Sequence, residues 1–231
     1  MTETDLNWTE TDPNMTETVF HVPTLVHGRI VLEAPPEPTA LLVGFHGYAQ
    51  TGEDALAFLR PLALGKSWAI AGPQALHPFY RPRDQAVVAG WMTRQDRELA
   101  LADNVAYTAR ALAELRARLP TAGKLAIVGF SQGVAMAYRA AAFAQRPCDG
   151  VIALAADVPP DVAPLAASLP KVLIGRGTRD EWYTGEKAAK DRDVLEQAGV
   201  TVIEHVFDGG HEWAPEFIAK CSAFIDELLL S

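Results

Sequence analysis

Cysteine is scarce in this sequence of 231 residues, which contains Cys148 and Cys221 and no other thiol. Neither lies in a C-x-x-C motif or beside a Cys/His cluster, so the sequence predicts no disulfide framework and no metal site. The sequence also has no phosphate-cradling glycine loop and no nucleotide fingerprint, and we therefore expect no cofactor. Two buried or unreactive thiols are the simplest interpretation of the pair.

Positively charged residues are also few: the sequence has 20 Lys and Arg but 29 Asp and Glu, which gives a formal net charge of −9. This balance disfavours nucleic-acid binding, which depends on Lys and Arg that neutralise phosphates. It disfavours docking on anionic membranes for the same reason. No apolar run approaches the roughly 18 residues of a membrane-spanning helix, and the start has no signal-peptide pattern. We expect a cytoplasmic protein with no stable insertion in a membrane.

Apolar residues are rare in the first 18 positions, where the unit Thr-Glu-Thr recurs at Thr2, Thr9 and Thr16. Such a segment has almost nothing to bury, and the sequence predicts a disordered acidic leader over residues 1–18. Met15 is then a candidate for the true start of the chain. Residues 19–231 are long enough for one sizeable core and are predicted to form a single domain.

Short apolar runs alternate with helical patterns along that domain, which is typical of an α/β protein with a mainly parallel sheet and helices on both faces. The predicted parallel strands are 41–45, 68–71, 125–130, 151–154, 172–175 and 200–207. The predicted helices are 53–62, 97–119, 133–144, 186–198 and 215–230.

Three other stretches of the domain carry predictions of their own. Residues 19–25 and 28–32 flank His27-Gly28 and predict an antiparallel hairpin. The stretch from Pro73 to Gln95 has no clear periodicity, and long loops in compact domains are often functional. The interval between the strands at 151–154 and 172–175 is short, so we expect no sizeable lid.

The sharpest motif is Gly129-Phe130-Ser131-Gln132-Gly133, a G-x-S-x-G pattern. It follows the apolar strand at 125–130 and opens a helix, which is the context of a nucleophile elbow in the α/β-hydrolase fold. The strained turn exposes the serine hydroxyl, and the helix N-terminus aims N–H groups at a developing oxyanion. Ser131 is therefore the predicted nucleophile.

Serine needs a base and an orienting acid, and this fold supplies them in the order Ser, acid, His. His211 lies in a glycine-rich loop directly after the strand at 200–207 and is the predicted base. Asp180 follows the strand at 172–175 and is the favoured acid. Asp157, which follows the preceding strand, remains an alternative.

An oxyanion hole in this fold also needs an N–H from the loop that follows an early strand. Phe45-His46-Gly47-Tyr48 occupies that place. The predicted donors are the backbone N–H groups of Tyr48 and Gln132. His46 is interpreted as a structural residue that holds the loop.

These motifs together resemble the phospholipase/carboxylesterase family of α/β-hydrolases, which includes acyl-protein thioesterases and small bacterial carboxylesterases. The resemblance spans roughly residues 40–228 and implies Ser131, Asp180 and His211 as the triad, with Tyr48 and Gln132 as backbone donors. Two departures, Val134 where a glycine is usual and Arg176 where many thioesterase members have histidine, point away from the thioesterase subtype.

The predicted partner is a small-molecule carboxylic ester, bound in a pocket to which Trp91, Trp182 and Trp213 are candidates to contribute. Three alternatives remain open: an acyl thioesterase or a lysophospholipase with the same triad, and a non-catalytic ligand-binding homologue. A monomer and a homodimer are equally compatible with the sequence.

Overall fold

The computed structural model describes residues 16–143 and 147–229, with side chains through residue 228. Residues 1–15 of the predicted leader, including the candidate start Met15, lie outside the described residues. Ala144 and Leu230, the predicted last residues of two helices, lie outside them as well. Residues 16–18 have no regular secondary structure.

The described residues contain nine strands, five α-helices and one 3₁₀ helix. The strands are β1 (Ile30–Glu33), β2 (Ala40–Phe45), β3 (Trp68–Pro73), β4 (His77–Tyr80), β5 (Val87–Gly90), β6 (Lys124–Phe130), β7 (Gly150–Leu154), β8 (Lys171–Gly177) and β9 (Val202–Phe207). The helices are α1 (Gly52–Ala63), α2 (Arg97–Arg118), α3 (Gln132–Ala142), α4 (Gly185–Gln197) and α5 (Pro215–Leu229), and the 3₁₀ helix is Ala163–Ser168. None of the helices in this described part combines the length and apolarity that crossing a membrane requires.

Seven strands form one sheet in the order β1-β3-β2-β6-β7-β8-β9. Every pair is parallel except β1 with β3, so the predicted mainly parallel sheet is confirmed. Every residue of β2 and of β7 is buried, as expected for strands that helices cover on both faces.

The two faces of the sheet bury separate sets of side chains. In β2, Leu41 and Val43 point to the face that helices α2, α3 and α4 cover. Leu42, between them, points to the opposite face and packs with residues of α1 and α5. This alternation follows from the two-residue period of a strand, and the prediction of helices on both faces is confirmed.

The first strand does not belong to the predicted hairpin. Residues 16–29 form no strand, and β1 pairs instead with β3, with Ile30 opposite Pro73. At Gly28 the chain passes directly against the ring of Tyr107, which a Cβ at this position would overlap. The Tyr107 hydroxyl also donates to the carbonyl of Arg29 at 2.9 Å. Packing against α2 therefore replaces the hairpin turn that His27-Gly28 suggests.

The stretch from Pro73 to Gln95 is not irregular throughout, because it contains the antiparallel hairpin β4–β5. His77 pairs with Gly90 and Tyr80 with Val87, and a bridge joins Ala89 to Gln50 beyond β2. Because the two strands are short and β4 contains Pro78, the sequence shows no periodic pattern that would predict this hairpin. Its consequence is that this stretch is fixed against the loop that follows β2.

The connection between β7 and β8 contains only the 3₁₀ helix, so the expectation of no sizeable lid is confirmed. An ion pair ties this connection to α3. Arg139 is almost completely buried, and its Nε and Nη2 donate to the two carboxylate oxygens of Asp161 at 2.9 and 2.7 Å. The guanidinium lowers the pKa of Asp161.

Replacement of Asp161 by Ala should lower the free energy of unfolding by about 3 kcal/mol, because it leaves the buried Arg139 charge unpaired. Since the pKa of Asp161 is lowered on folding, this contribution is complete above its usual pKa near 4 and is lost as the pH falls below that. Denaturant unfolding of both proteins between pH 3 and 7 measures it. Glu33→Ala, which breaks the exposed pair with Arg60, should change stability little. An equal loss in both variants would contradict the expectation.

Candidate active site

Ser131 lies in a strained turn between β6 and α3. Its φ of 52° and ψ of −125° are rare for a residue with a side chain. Its N–H donates to the carbonyl of Leu154 and its carbonyl accepts from Val134, both at 2.9 Å. The flanking glycines are required by space, since a Cβ at Gly133 would overlap the carbonyl of Phe45. The turn thus holds Ser131 at the carboxyl edge of the sheet.

Asp180 and His211 form a hydrogen-bonded pair at the same edge of the sheet. Asp180 follows β8, His211 follows β9, and Asp180 Oδ2 lies 2.9 Å from His211 Nδ1. The other oxygen, Asp180 Oδ1, accepts from the backbone N–H groups of Trp182 and Tyr183 at 2.8 and 2.9 Å. Because the carboxylate only accepts when ionised, His211 Nδ1 carries the proton and Nε2 is left as an acceptor.

The two loops that carry this pair are joined through their backbones. Thr178 N–H donates to the carbonyl of Phe207 at 2.9 Å, and Arg179 N–H donates to that of Gly209 at 2.8 Å. Gly177 permits the approach, because a Cβ there would overlap the carbonyls of Gly209 and Gly210. The relative position of Asp180 and His211 is therefore fixed by the main chain.

His211 lies beside the turn that carries Ser131. Its ring centroid is 5.2 Å from that of Phe130, the residue before the serine, and Trp213 packs against Phe130 and Phe58. Ser131 Oγ has no hydrogen-bond partner among the described residues, His211 Nε2 included. The structure therefore contains the hydrogen bond between Asp180 and His211 but none between His211 and Ser131.

Asp157, the alternative acid, lies elsewhere. Its side chain is half exposed, and Oδ2 is 3.6 Å from Nζ of Lys187. Asp180, by contrast, has no exposed side-chain surface. The structure thus brings Asp180, and not Asp157, to His211.

Two backbone N–H groups near Ser131 are free of protein acceptors. In the loop after β2, Gly47 N–H donates to Gln50 Oε1 at 2.7 Å and Ala49 N–H donates to Ala89 at 3.0 Å. Between them, Tyr48 N–H has no acceptor within residues 16–143 and 147–229, and neither has Gln132 N–H. A Cβ at Gly47 would lie 3.3 Å from that of Ser131, so the loop adjoins the serine.

His46 is completely buried and holds this loop. Its Nε2 accepts from the backbone N–H of Ala75 at 3.1 Å, which leaves Nδ1 to donate to the carbonyl of Gly47 at 2.7 Å. Burial lowers the pKa of His46. The ring is therefore neutral with a defined tautomer, in agreement with the structural role expected from the sequence.

The three tryptophans named as pocket candidates lie in different environments. Trp91 is 0% exposed and packs edge-on against Phe45, so it belongs to the core and has no surface to offer a ligand. Trp182 is 75% exposed beside Asp180. Trp213 is partly buried, stacks on Phe58 at 4.6 Å and packs against Phe130. Tyr48, which follows Gly47 in the loop after β2, is 59% exposed and stacks on Phe79 at 5.3 Å.

A buried contact that sequence reasoning did not find supports the loop of Asp180. The hydroxyl of Tyr183 donates to Asp191 Oδ2 at 2.9 Å. Burial, with a smaller contribution from the nearby Asp157 charge, raises the pKa of Asp191 to about 6, although Tyr183 and Lys190 oppose the shift. Eight residues separate the partners and no motif marks them, so the sequence carries no signal for this contact.

Comparison with solved structures identifies the fold. Esterase PE8 superposes with a TM-score of 0.69 at 24% identity, over 89% of this chain and 100% of that one. Acyl-protein thioesterase 2 of Zea mays gives 0.68 at 20% identity, over 88% and 100%. The carboxylesterase of Bacillus cereus gives 0.69 at 16% identity, over 87% and 94%. The α/β-hydrolase fold predicted from the elbow is confirmed.

No protein-family model matches the chain, and no curated protein matches it in a sequence comparison. The solved structures nevertheless carry names, esterase and acyl-protein thioesterase, of the kinds that the sequence motifs resemble. At these sequence identities, the similarity to the solved structures shows a shared fold and nothing finer.

Replacement of Asp191 by Asn should make stability less dependent on pH. In the wild type a pKa raised to about 6 on folding favours the folded state below the usual pKa near 4, and this advantage of up to about 3 kcal/mol disappears as the pH rises through 6. The variant has no carboxyl group at this position to ionise. Its stability should therefore equal that of the wild type at pH 4 and exceed it at pH 8. Unfolding curves across this range measure the difference, and the exposed Asp193→Asn is the control. Parallel curves for wild type and Asp191→Asn would refute the raised pKa.

Proposed function

We propose that the chain is a serine hydrolase that cleaves small carboxylic esters through an acyl-enzyme on Ser131. The observation that carries this proposal is the Asp180–His211 hydrogen bond beside a serine in a strained strand-to-helix turn. Two free N–H groups, those of Tyr48 and Gln132, add to it. Such an arrangement supplies the nucleophile, base, orienting acid and oxyanion donors that acyl transfer needs.

In the proposed acylation step, Ser131 Oγ attacks the ester carbonyl while His211 Nε2 takes the hydroxyl proton. The carbonyl oxygen becomes an oxyanion and accepts from the N–H groups of Tyr48 and Gln132. Asp180 accepts from Nδ1 throughout and stabilises the imidazolium. His211 then gives its proton to the leaving alcohol, and the acyl group stays on Ser131.

Deacylation reverses these roles with water as the nucleophile. His211 Nε2 takes a proton from the water as its oxygen attacks the acyl carbon. The tetrahedral intermediate collapses, Ser131 leaves with the proton from His211, and the carboxylic acid is released. Each oxyanion donor is worth about 3–4 kcal/mol in the transition state.

The surroundings of Ser131 support a proposal for the substrate class. The described connection between β7 and β8 contains no lid, and the rings of Trp182 and Tyr48 are exposed. This favours small soluble esters over aggregated lipids. A thioester substrate is the second candidate, and the similarity to a plant acyl-protein thioesterase supports it. The chemistry at Ser131 is the same for both.

The first experiment is hydrolysis of nitrophenyl esters of increasing acyl length by wild type and Ser131→Ala. We expect measurable hydrolysis by the wild type, with an optimum at short chains, and a loss of about 10³-fold or more in the variant. A fluorophosphonate should label the wild type covalently and leave Ser131→Ala unlabelled. Equal rates in both proteins would show that Ser131 is not the nucleophile. Absence of both turnover and labelling in the wild type would favour a ligand-binding role.

The second experiment compares Asp180→Asn with Asp157→Asn. In Asp180→Asn, the two backbone N–H groups of Trp182 and Tyr183 require the amide oxygen, so the NH₂ group faces His211 Nδ1. His211 must then carry its proton on Nε2 and cannot accept one from Ser131. We expect kcat to fall by about 10³–10⁴-fold. Asp157→Asn should stay within about twofold of the wild type, and a similar loss in both variants would contradict the assignment.

A further inference from the structure

The side chain of Gln132 makes two hydrogen bonds that its proposed backbone role does not require. Its Oε1 accepts from the backbone N–H of Trp91 at 2.8 Å, and its Nε2 donates to the carbonyl of Met92 at 3.0 Å. The partners fix the amide orientation, because a backbone N–H only donates and a carbonyl only accepts. The residue after the serine is thus joined to the segment that follows strand β5.

Trp91 connects this segment to the loop after β2. Its ring Nε1–H donates to the carbonyl of His46 at 2.9 Å, and the two rings lie 5.2 Å apart. Asn104 of helix α2 donates through Nδ2 to the carbonyl of Trp91 and holds the segment from the other side. Since Trp91 is fully buried, none of these groups has water as an alternative partner.

His46 connects Trp91 to the peptide unit that contains Tyr48 N–H, the second proposed oxyanion donor. It donates to the carbonyl of Gly47, which belongs to the same peptide unit as Tyr48 N–H. A change in the orientation of that carbonyl therefore rotates the N–H of Tyr48. On the outer side, Ala89 bonds to Ala49 and Gln50, so strand β5 supports the loop along its length.

We infer that the Gln132 side chain is a positioning group which, through Trp91 and His46, sets the direction of the Tyr48 N–H toward the oxyanion. This inference rests on the proposed function. Gln132 would then control both donors, its own N–H directly and that of Tyr48 through a chain of buried hydrogen bonds. Misdirection of a donor weakens the transition state more than the bound substrate, because only the transition state carries the negative charge.

The test uses Gln132→Ala, which keeps the backbone N–H but removes both side-chain bonds, and Trp91→Phe, which removes the indole N–H that donates to His46 and keeps an aromatic ring. Gln85→Ala is the matched control, since the Gln85 amide bonds to the carbonyl of Pro82 at 3.2 Å in the β4–β5 turn. Active-site titration with a fluorophosphonate counts the functional molecules in each preparation. Rates for a nitrophenyl ester are then expressed per labelled site.

We expect kcat per labelled site to fall about 10–100-fold in Gln132→Ala and less in Trp91→Phe, with KM within about twofold of the wild type. The affinity for an alkyl boronic acid, which mimics the tetrahedral intermediate on the serine, should fall by the same factor as kcat/KM. Gln85→Ala should match the wild type in every measurement.

A merely structural role would give a different result. It would lower the melting temperature and the labelled fraction in Gln132→Ala but leave kcat per labelled site and boronate affinity unchanged, and this outcome would overturn the inference. Unchanged kinetics in Trp91→Phe together with full activity in Gln132→Ala would do the same. Failure of the proposed function would be seen earlier and separately, as a wild type that neither hydrolyses esters nor reacts with the fluorophosphonate.

Discussion

Helix α3 begins so close to the end of strand β2 that Gly133 has no room for a Cβ beside the carbonyl oxygens of Phe45 and His46. This approach places the start of α3, which carries Gln132 N–H, against the loop after β2, which carries Tyr48 N–H. Side chains alone cannot achieve such proximity, because any group larger than hydrogen would force the two backbones apart. The hydrogen bonds of His46, Trp91 and Gln132 then fix orientations within a frame that the backbone contact has already set.

Two buried aspartates near the site have different hydrogen-bond partners. Asp180 accepts from two backbone N–H groups and from His211, so each of its oxygens has a donor. Asp191 is buried as well, and burial raises its pKa to about 6 although it accepts a hydrogen bond from the Tyr183 hydroxyl. The first is suited to hold a histidine in one tautomer. The second supports the loop that carries the first.

Much of this arrangement was predictable from local sequence. Strands β2, β6 and β7 are buried on both faces and read as continuous apolar runs, and the G-x-S-x-G motif marked the strained turn at Ser131. What the sequence did not predict depends on contacts between distant segments. Strand β1 pairs with β3 because Tyr107 of helix α2 holds the chain at Gly28, and nothing near residue 28 encodes that ring. Trp91 was interpreted as a pocket residue, since composition does not distinguish a buried aromatic from an exposed one. The role of the Gln132 side chain likewise depends on Met92, 40 residues away.

The ion pair between Arg139 and Asp161 also limits where the chain between β7 and β8 could accept an inserted segment. The connection between β7 and β8 is tied at Asp161 to helix α3, which follows Ser131. An insertion before Asp161 would separate a buried guanidinium from its counter-charge and disturb the support of α3. An insertion after Ser168 would leave that tie intact. A cap segment that covers the site with a lipid-binding surface could therefore be added without loss of this ion pair only at a few positions, which lie beyond the 3₁₀ helix.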